Sequence, residues 1–320
     1  MKRALWMMFL LLLTIVSCQP QPEEVYRPTP YELPSPLFFP TENSIPSDNP
    51  MTEEGIALGK KLFFEEPSCA MCHHKEHSFE FGPEGTLEHL GTQHTMLPLI
   101  NLAWNTSGLG WKGQVATLEE MVYAAYTDPT EINADTAEVV KRLQQSEIYP
   151  DLFKKAFGTD EISFILVEKA IAQYVRSLVF ANSKFDRYLR GEEQLSQDEL
   201  NGYLLFSTEN GADCFHCHGG GANALFTTNL QYNNGLDAVS DGEFKAPTLR
   251  NIALTAPYMH DGRFSTLDEV IDFYSAGVQY SDQISPLMHH VMQGGVQLTT
   301  EEKRQLKAFL NTLTDSSLEK

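Results

Sequence analysis

The chain has 320 residues, 42% of them hydrophobic and 21% charged, with a formal net charge of −20. That length is enough for two modest domains, each with its own core, and the composition is that of an ordinary soluble protein. The acidic balance excludes nucleic acid as a partner and favours a basic, diffusible one.

Lys2 and Arg3 precede an apolar run from Leu5 to Val16, the pattern of a secretory signal too short to span a bilayer comfortably. The run ends in Ile15-Val16-Ser17-Cys18, which resembles a bacterial lipobox. Residues 1–17 would then be removed, and lipid on Cys18 would tether the protein to a membrane face outside the cytoplasm. Gln19, where an aspartate would signal retention, points to the outer membrane. A plain signal peptide with a chance cysteine is the alternative. Residues 18–50 hold nine of the chain's seventeen prolines and read as an extended linker.

Beyond the linker the pattern turns helical. Segments run from about Glu53 to Phe64, Ala134 to Gln145 and Glu161 to Phe180, with apolar residues at helical spacing. Thr-x-x-acid or Ser-x-x-acid capping boxes at Thr117, Ser196, Thr266 and Thr299 open four more. Alternating apolar runs are few, so the predicted fold is mostly α. Two domains are expected, residues 51–190 and 191–320.

Five cysteines are present, and all but Cys18 fall in two CxxCH motifs, so none is spare for a disulfide. Cys69-Ala70-Met71-Cys72-His73 and Cys214-Phe215-His216-Cys217-His218 fit the attachment signature of c-type haem. The thiols form thioethers with the porphyrin, and the adjacent histidine, His73 or His218, supplies the proximal nitrogen to iron. A four-cysteine zinc site does not need a histidine after each pair. A thioredoxin-like dithiol needs a strand–helix context that is missing here. His74 and His77 lie too close to His73 to reach the other face of the same porphyrin, and are expected at a solvated or propionate-facing surface. His216 occupies a variable position of its motif.

The motifs lie 145 residues apart (214 − 69), and the stretches downstream of them are alike. LPLINLAW and GWKGQVATLEEMVYAAY come after the first; APTLRNIAL and MHDGRFSTLDEVIDFY come after the second. Pro98 matches Pro247, Gly113 matches Gly262 and Thr117 matches Thr266, all at an offset of 149 (262 − 113). The two halves are predicted to be duplicated c-type cytochrome-like haem domains.

With both motifs and PTLRNIALTAPYMHDGRFSTLDEV in order, the chain resembles the bacterial di-haem cytochrome c peroxidase family, including its methylamine-utilisation branch, over roughly residues 50–315. The resemblance implies a peroxidatic first haem and a second haem that relays electrons from a reduced cytochrome c or small copper protein, with hydrogen peroxide reduced to water. It implies that Trp111, in Trp111-Lys112-Gly113, bridges the haems, and that Glu131, in Asp128-Pro129-Thr130-Glu131, moves the proton that heterolytic cleavage of peroxide requires. Met121 stands where many members carry glutamine. Met96 replaces an asparagine of the interhaem calcium site, of which Thr255 and Pro257 remain, so one Ca2+ between the haems is an open expectation.

The resemblance places the sixth ligand of the second iron at Tyr274, a methionine in standard peroxidases and a tyrosine in the methylamine-utilisation branch. Met288 and Met292 are alternatives, and Val270, Ile271, Phe273 and Tyr274 could instead be one core face of a helix. On the first haem, His89, with His94 second, would be the resting-state sixth ligand; if neither binds, no reductive activation is needed. Family members are often homodimers. A second implied activity uses peroxide to oxidise a specific, perhaps protein, substrate, as Tyr274 and Met121 favour. A non-enzymatic electron carrier is the third reading.

Overall fold

The computed structural model of the chain describes residues 26–65, 69–82, 94–220, 223–238, 242–315 and 317. The leader with Cys18 and the stretch that contains His89 lie outside them. The first half is built from α1 (Glu53–Phe64), α2 (Leu118–Thr127), α3 (Thr136–Gln144), α4 (Tyr149–Phe157) and α5 (Phe164–Ser177). The Thr52 hydroxyl accepts from Gly55 N at the start of α1, and Glu53 and Glu54 complement the positive end of its dipole. Leu58, Leu62 and Phe63 then fall on one face and bury against Val167 and Ile171 of α5 in the first core.

The second half contains α6 (Lys184–Leu189), α7 (Gln197–Phe206), the single turn α8 (Phe215–His218), α9 (Leu267–Ala276) and α10 (Thr300–Asn311). A two-stranded antiparallel ribbon of β1 (Gln231–Tyr232) and β2 (Phe244–Lys245) pairs Gln231 with Lys245. Phe185, Phe206, Phe226, Phe309 and Leu313 are fully buried and form the second core. Both cores are helical, and the fold is mostly α.

The duplication is visible in the backbone. The Leu109–Val115 bridge recurs as Tyr258–Phe264, and the left-handed Asn101 (φ 57°) recurs as Asn251 (φ 59°), each followed by a 3-10 turn. In each half the helix before the CxxCH motif crosses the last helix at a glycine. A side chain on Gly59 of α1 would strike the Ala170 carbonyl of α5, and one on Gly202 of α7 would strike the Gln305 carbonyl of α10. Because the obstacle is backbone, the helices themselves would have to separate. Gly59→Ala and Gly202→Ala should each cost about 1–3 kcal/mol, a loss measured as a lower Tm; an unchanged Tm in both would mean the crossings are loose.

Two sequence expectations need adjustment. Residues 26–50 do not stand off the body as a linker. Tyr31 N donates to Met51 O at 3.0 Å, Ser44 N to Ala103 O at 2.7 Å, and Ala224 N to Phe38 O at 3.1 Å. The buried Phe39 ring meets Trp104 of the first half edge-on at 4.8 Å and lies 4.8 Å from the Arg250 guanidinium of the second. Apolar residues set between the prolines turn this segment into a strap across both halves. Helix α6, on the first-domain side of residue 190, packs with the second half. Phe185 belongs to the second core, and Asp186 forms a buried bidentate pair with Arg250 at 2.6 and 2.9 Å.

The capping box at Thr117 is half formed. Its hydroxyl accepts from Glu120 N, but the Glu120 carboxylate turns to Ala116 N. At Ser196, Thr266 and Thr299 both halves of the box are present. Helix α4 gives little sequence signal because it lacks a side-chain N-cap; a proline near its start and Gly158 (φ 77°) at its end delimit it.

Candidate haem centres and the wall between them

Cys69, Cys72 and His73 sit on and just after a 3-10 turn, Cys69–Met71, whose chain folds so that His73 N donates to Cys69 O at 2.8 Å. His73 Nδ1 lies 2.6 Å from Phe79 O, which fixes the ring and leaves Nε2 for another partner. The cavity lined by these three residues is also lined by Met121 on α2 and Glu131 on the loop after it. That loop is held by Asp128, whose carboxylate accepts from Thr130 N and Oγ1 at 2.8 and 2.7 Å and whose carbonyl accepts from Glu131 N at 3.1 Å. Burial among the cavity walls, and then the Asp128 charge, push the Glu131 carboxyl above the usual range.

The second centre repeats the first with α8 as its turn. His218 Nδ1 is 3.0 Å from Pro247 O, again leaving Nε2, and burial lowers its pKa to about 4, so the imidazole is neutral. Tyr274 of α9 lines the same cavity, and Asn234 Nδ2 donates to its hydroxyl at 3.0 Å. Burial raises the phenol, and the Asn234 bond partly offsets it. Val270 and Ile271 line this cavity beside Tyr274, while Phe273 is buried in a neighbouring apolar cluster against which Tyr274 also packs. Met288 lines this cavity; Met292 does not, and is 81% exposed.

Trp111, Met96, Pro98, Lys245 and Pro247 line both cavities and form the wall between them. Trp111 Nε1 donates to Thr95 O at 2.7 Å, and its backbone carbonyl accepts from Lys245 N at 2.7 Å, so the residue is held through both side chain and main chain. Thr255 and Pro257 line the second cavity. Calcium takes oxygen ligands, whereas Met96 in this wall offers a thioether. His94 lines the first cavity, with its ring 5.4 Å from both Phe244 and His260. His89 falls outside the described residues. His74 and His77 line neither cavity; His77 Nδ1 lies 3.2 Å from Leu254 O and joins the halves.

Three residues of these centres escape a reading of the sequence. Asn234 carries no motif of its own. His260 stacks on Phe244 at 3.7 Å, and only its place in the MHDGRF stretch marks it. Glu80, 4% exposed, lines the second cavity, and burial holds its carboxyl well above the usual range. A lone acid between two phenylalanines is the available signal.

The donor set fits haem and not its rivals. The four thiols are divided between two cavities, so no four-cysteine zinc site is assembled. Burial pushes Cys69 and Cys214 up to about 12 and Cys217 to about 11, unlike the low-pKa thiol of a redox dithiol. Thiol pairs beside a neutral imidazole, oriented by a backbone carbonyl and facing a largely apolar cavity, are what covalent haem attachment requires. Fold and sites define a helical protein with two c-type haem centres, one in each half.

The comparisons narrow the class. The chain belongs to the di-haem cytochrome c peroxidase family, whose model matches residues 53–194. It is 32% identical to the methylamine utilization protein MauG of Methylophilus methylotrophus, over 88% of this chain and 89% of that one. It is 30% identical to the cytochrome c551 peroxidase of Nitrosomonas europaea, over 83% and 81%. Among solved structures, a MauG-like protein associated with microbial copper homeostasis superposes with a TM-score of 0.80 at 33% identity, covering 90% of this chain and 97% of that one. The protein is thus an oxidoreductase, a di-haem peroxidase with two covalently bound haem c groups. Among the described residues no helix is long and apolar enough to cross a membrane.

Proposed function

We propose that hydrogen peroxide is reduced in the first cavity, with Glu131 as the proton carrier and the second centre as the entry for electrons. The observation that carries this reading is the Glu131 carboxyl in the His73 cavity, pushed up by burial and so suited to exchange protons nearer neutrality than an exposed glutamate. Bound haem supplies the one-electron chemistry and an iron position for the oxidant. His73 and His218 hold the two groups in place, while Trp111 lies in the wall through which electrons pass from one to the other.

The reaction consumes one peroxide, two protons and two electrons and yields two waters. A reduced cytochrome c or small copper protein is the proposed donor, and the −20 charge would steer a basic one. The Cys18 lipobox supports an exported protein, anchored by lipid to the outer membrane. To test the reading, holoprotein and reduced small cytochrome c are mixed with peroxide. Oxidation of two donors per peroxide is expected; a ferric protein and donor that both stay unchanged would overturn it.

A second reading, peroxide-driven oxidation of a specific protein substrate, is favoured by Tyr274 in the second cavity. It predicts that ferric protein reacts with peroxide without prior reduction and holds the oxidising equivalents until the substrate arrives.

A further inference from the structure

The loop that carries the second haem motif also presents a separate set of metal-ligating side chains. Asp213 directly precedes Cys214, and His216 lies between the two cysteines. His289 reaches them from the turn before the 3-10 helix Val291–Gln293. Asp213 Oδ1 lies 2.7 Å from His216 Nδ1, and Asp213 Oδ2 lies 3.6 Å from His289 Nδ1. One donor atom from each of the three residues lies within 4.8 Å of the others.

Two features distinguish this cluster from an ordinary surface ion pair. First, Asp213 Oδ1 and His216 Nδ1 are both shut off from solvent and lie 2.7 Å apart as a buried pair. A cation that both ligate would displace the proton the pair shares and use two donors already gathered on one side of the site. Second, the His216 ring has a carboxylate behind it: Nε2 lies 3.6 Å from Glu209 Oε1. A ligating histidine commonly donates its far N–H to a carboxylate, and the exposed Glu209 side chain has only to close this gap slightly to accept it. His290 Nε2, 3.0 Å from Glu209 O, ties the two loops together.

The donor set selects the ion. Two imidazoles and one carboxylate suit zinc(II) and copper(II), whereas calcium and magnesium require oxygen and iron–sulfur clusters require thiolates. The Asp213 side chain is 6% exposed and that of His289 43%, so the site is closed at the protein side and open at the His289 side, where an ion enters. Tetrahedral metal–ligand bonds of about 2.0–2.2 Å put donor atoms roughly 3.3–3.6 Å apart, so Asp213 and His216 part slightly as the exposed His289 swings inward.

We propose that Asp213, His216 and His289 bind one zinc(II) or copper(II) ion beside the attachment loop of the second haem. Because His216 lies between two cysteines that anchor that haem, occupancy also perturbs the second haem's spectrum, and haem reduction reciprocally alters the ion's affinity.

The test uses holoprotein, stripped of loose metal with a chelator and titrated separately with Zn2+ by calorimetry and with Cu2+ by electron paramagnetic resonance. One ion per chain beyond haem iron is expected, with two nitrogen couplings on copper and a small Soret shift on binding. His289→Ala should weaken binding at least tenfold at unchanged haem content. Glu209→Gln should weaken it about 10–100-fold, the usual effect of losing a carboxylate behind a ligating histidine. Should Asp213→Asn impair haem attachment, the exposed His289 decides by itself. No ion beyond haem iron, or an affinity that His289→Ala leaves unchanged, overturns the proposal and leaves a loop-fixing Asp213–His216 pair.

Discussion

Glu131→Gln should lower peroxide turnover by about 10²–10⁴-fold while both haems remain attached, the span over which a positioned proton carrier accelerates a reaction. Glutamine keeps the size of the side chain and its place in the first cavity but cannot accept or return a proton. The pH dependence provides an independent readout. Burial, and secondly the Asp128 charge, raise the Glu131 pKa, so its carboxyl stays protonated to a higher pH than an exposed glutamate. In the proposed role the deprotonated form is the one that accepts a proton from incoming peroxide. Turnover should therefore fall as pH is lowered through the raised pKa, and Glu131→Gln should abolish that acid limb along with the rate.

Asp128→Asn is the accompanying control. It keeps a side-chain oxygen for Thr130 but removes the nearby charge, so the acid limb should move to lower pH with the maximum rate largely retained. Steady-state peroxide consumption across the acid range measures all three. A Glu131→Gln enzyme that keeps its full rate and its acid limb would assign the proton to another group, and His94 in the same cavity would be the next to test.

How much the sequence discloses depends on the range over which each constraint acts. The CxxCH motifs, the short stretches that recur 149 residues apart and the Ser196, Thr266 and Thr299 caps are each satisfied within a few residues, so a linear string displays them. Gly113 and Gly262, both at positive φ (62° and 69°), are local in the same sense. The strap at residues 26–50 reads as a linker because proline content reports stiffness, and nothing near Phe39 shows that Trp104 and Arg250 will meet it. Asn234 finds Tyr274 forty positions away, and Asp213 finds His289 farther still. Such pairs depend on how the halves close, which no periodicity encodes. His216 shows the limit most plainly: as one letter of a variable motif position it has no meaning, and it acquires one only when Glu209, Asp213 and His289 surround it.

The second large effect is expected at Tyr274. An anionic phenolate favours ferric iron, while a thioether favours ferrous, and axial ligands set haem potentials over a range of about 0.8 V. Tyr274→Met should therefore raise the potential of the second haem by on the order of 100 mV or more, read by spectroelectrochemical titration, and leave the first haem nearly unmoved. Burial opposes formation of the phenolate, and the one group that offsets it is the Asn234 amide. Asn234→Ala should consequently move the potential in the same direction by a smaller step, because the phenol then holds its proton more tightly. This graded pair separates ligation from packing. If Tyr274 only filled space beside Ile271 and Phe273, methionine would change stability and leave the potential in place, and Asn234→Ala would be silent. If the phenol oxygen reaches the iron, both variants raise the potential, and the second haem loses the property that would let it share oxidising equivalents with the first.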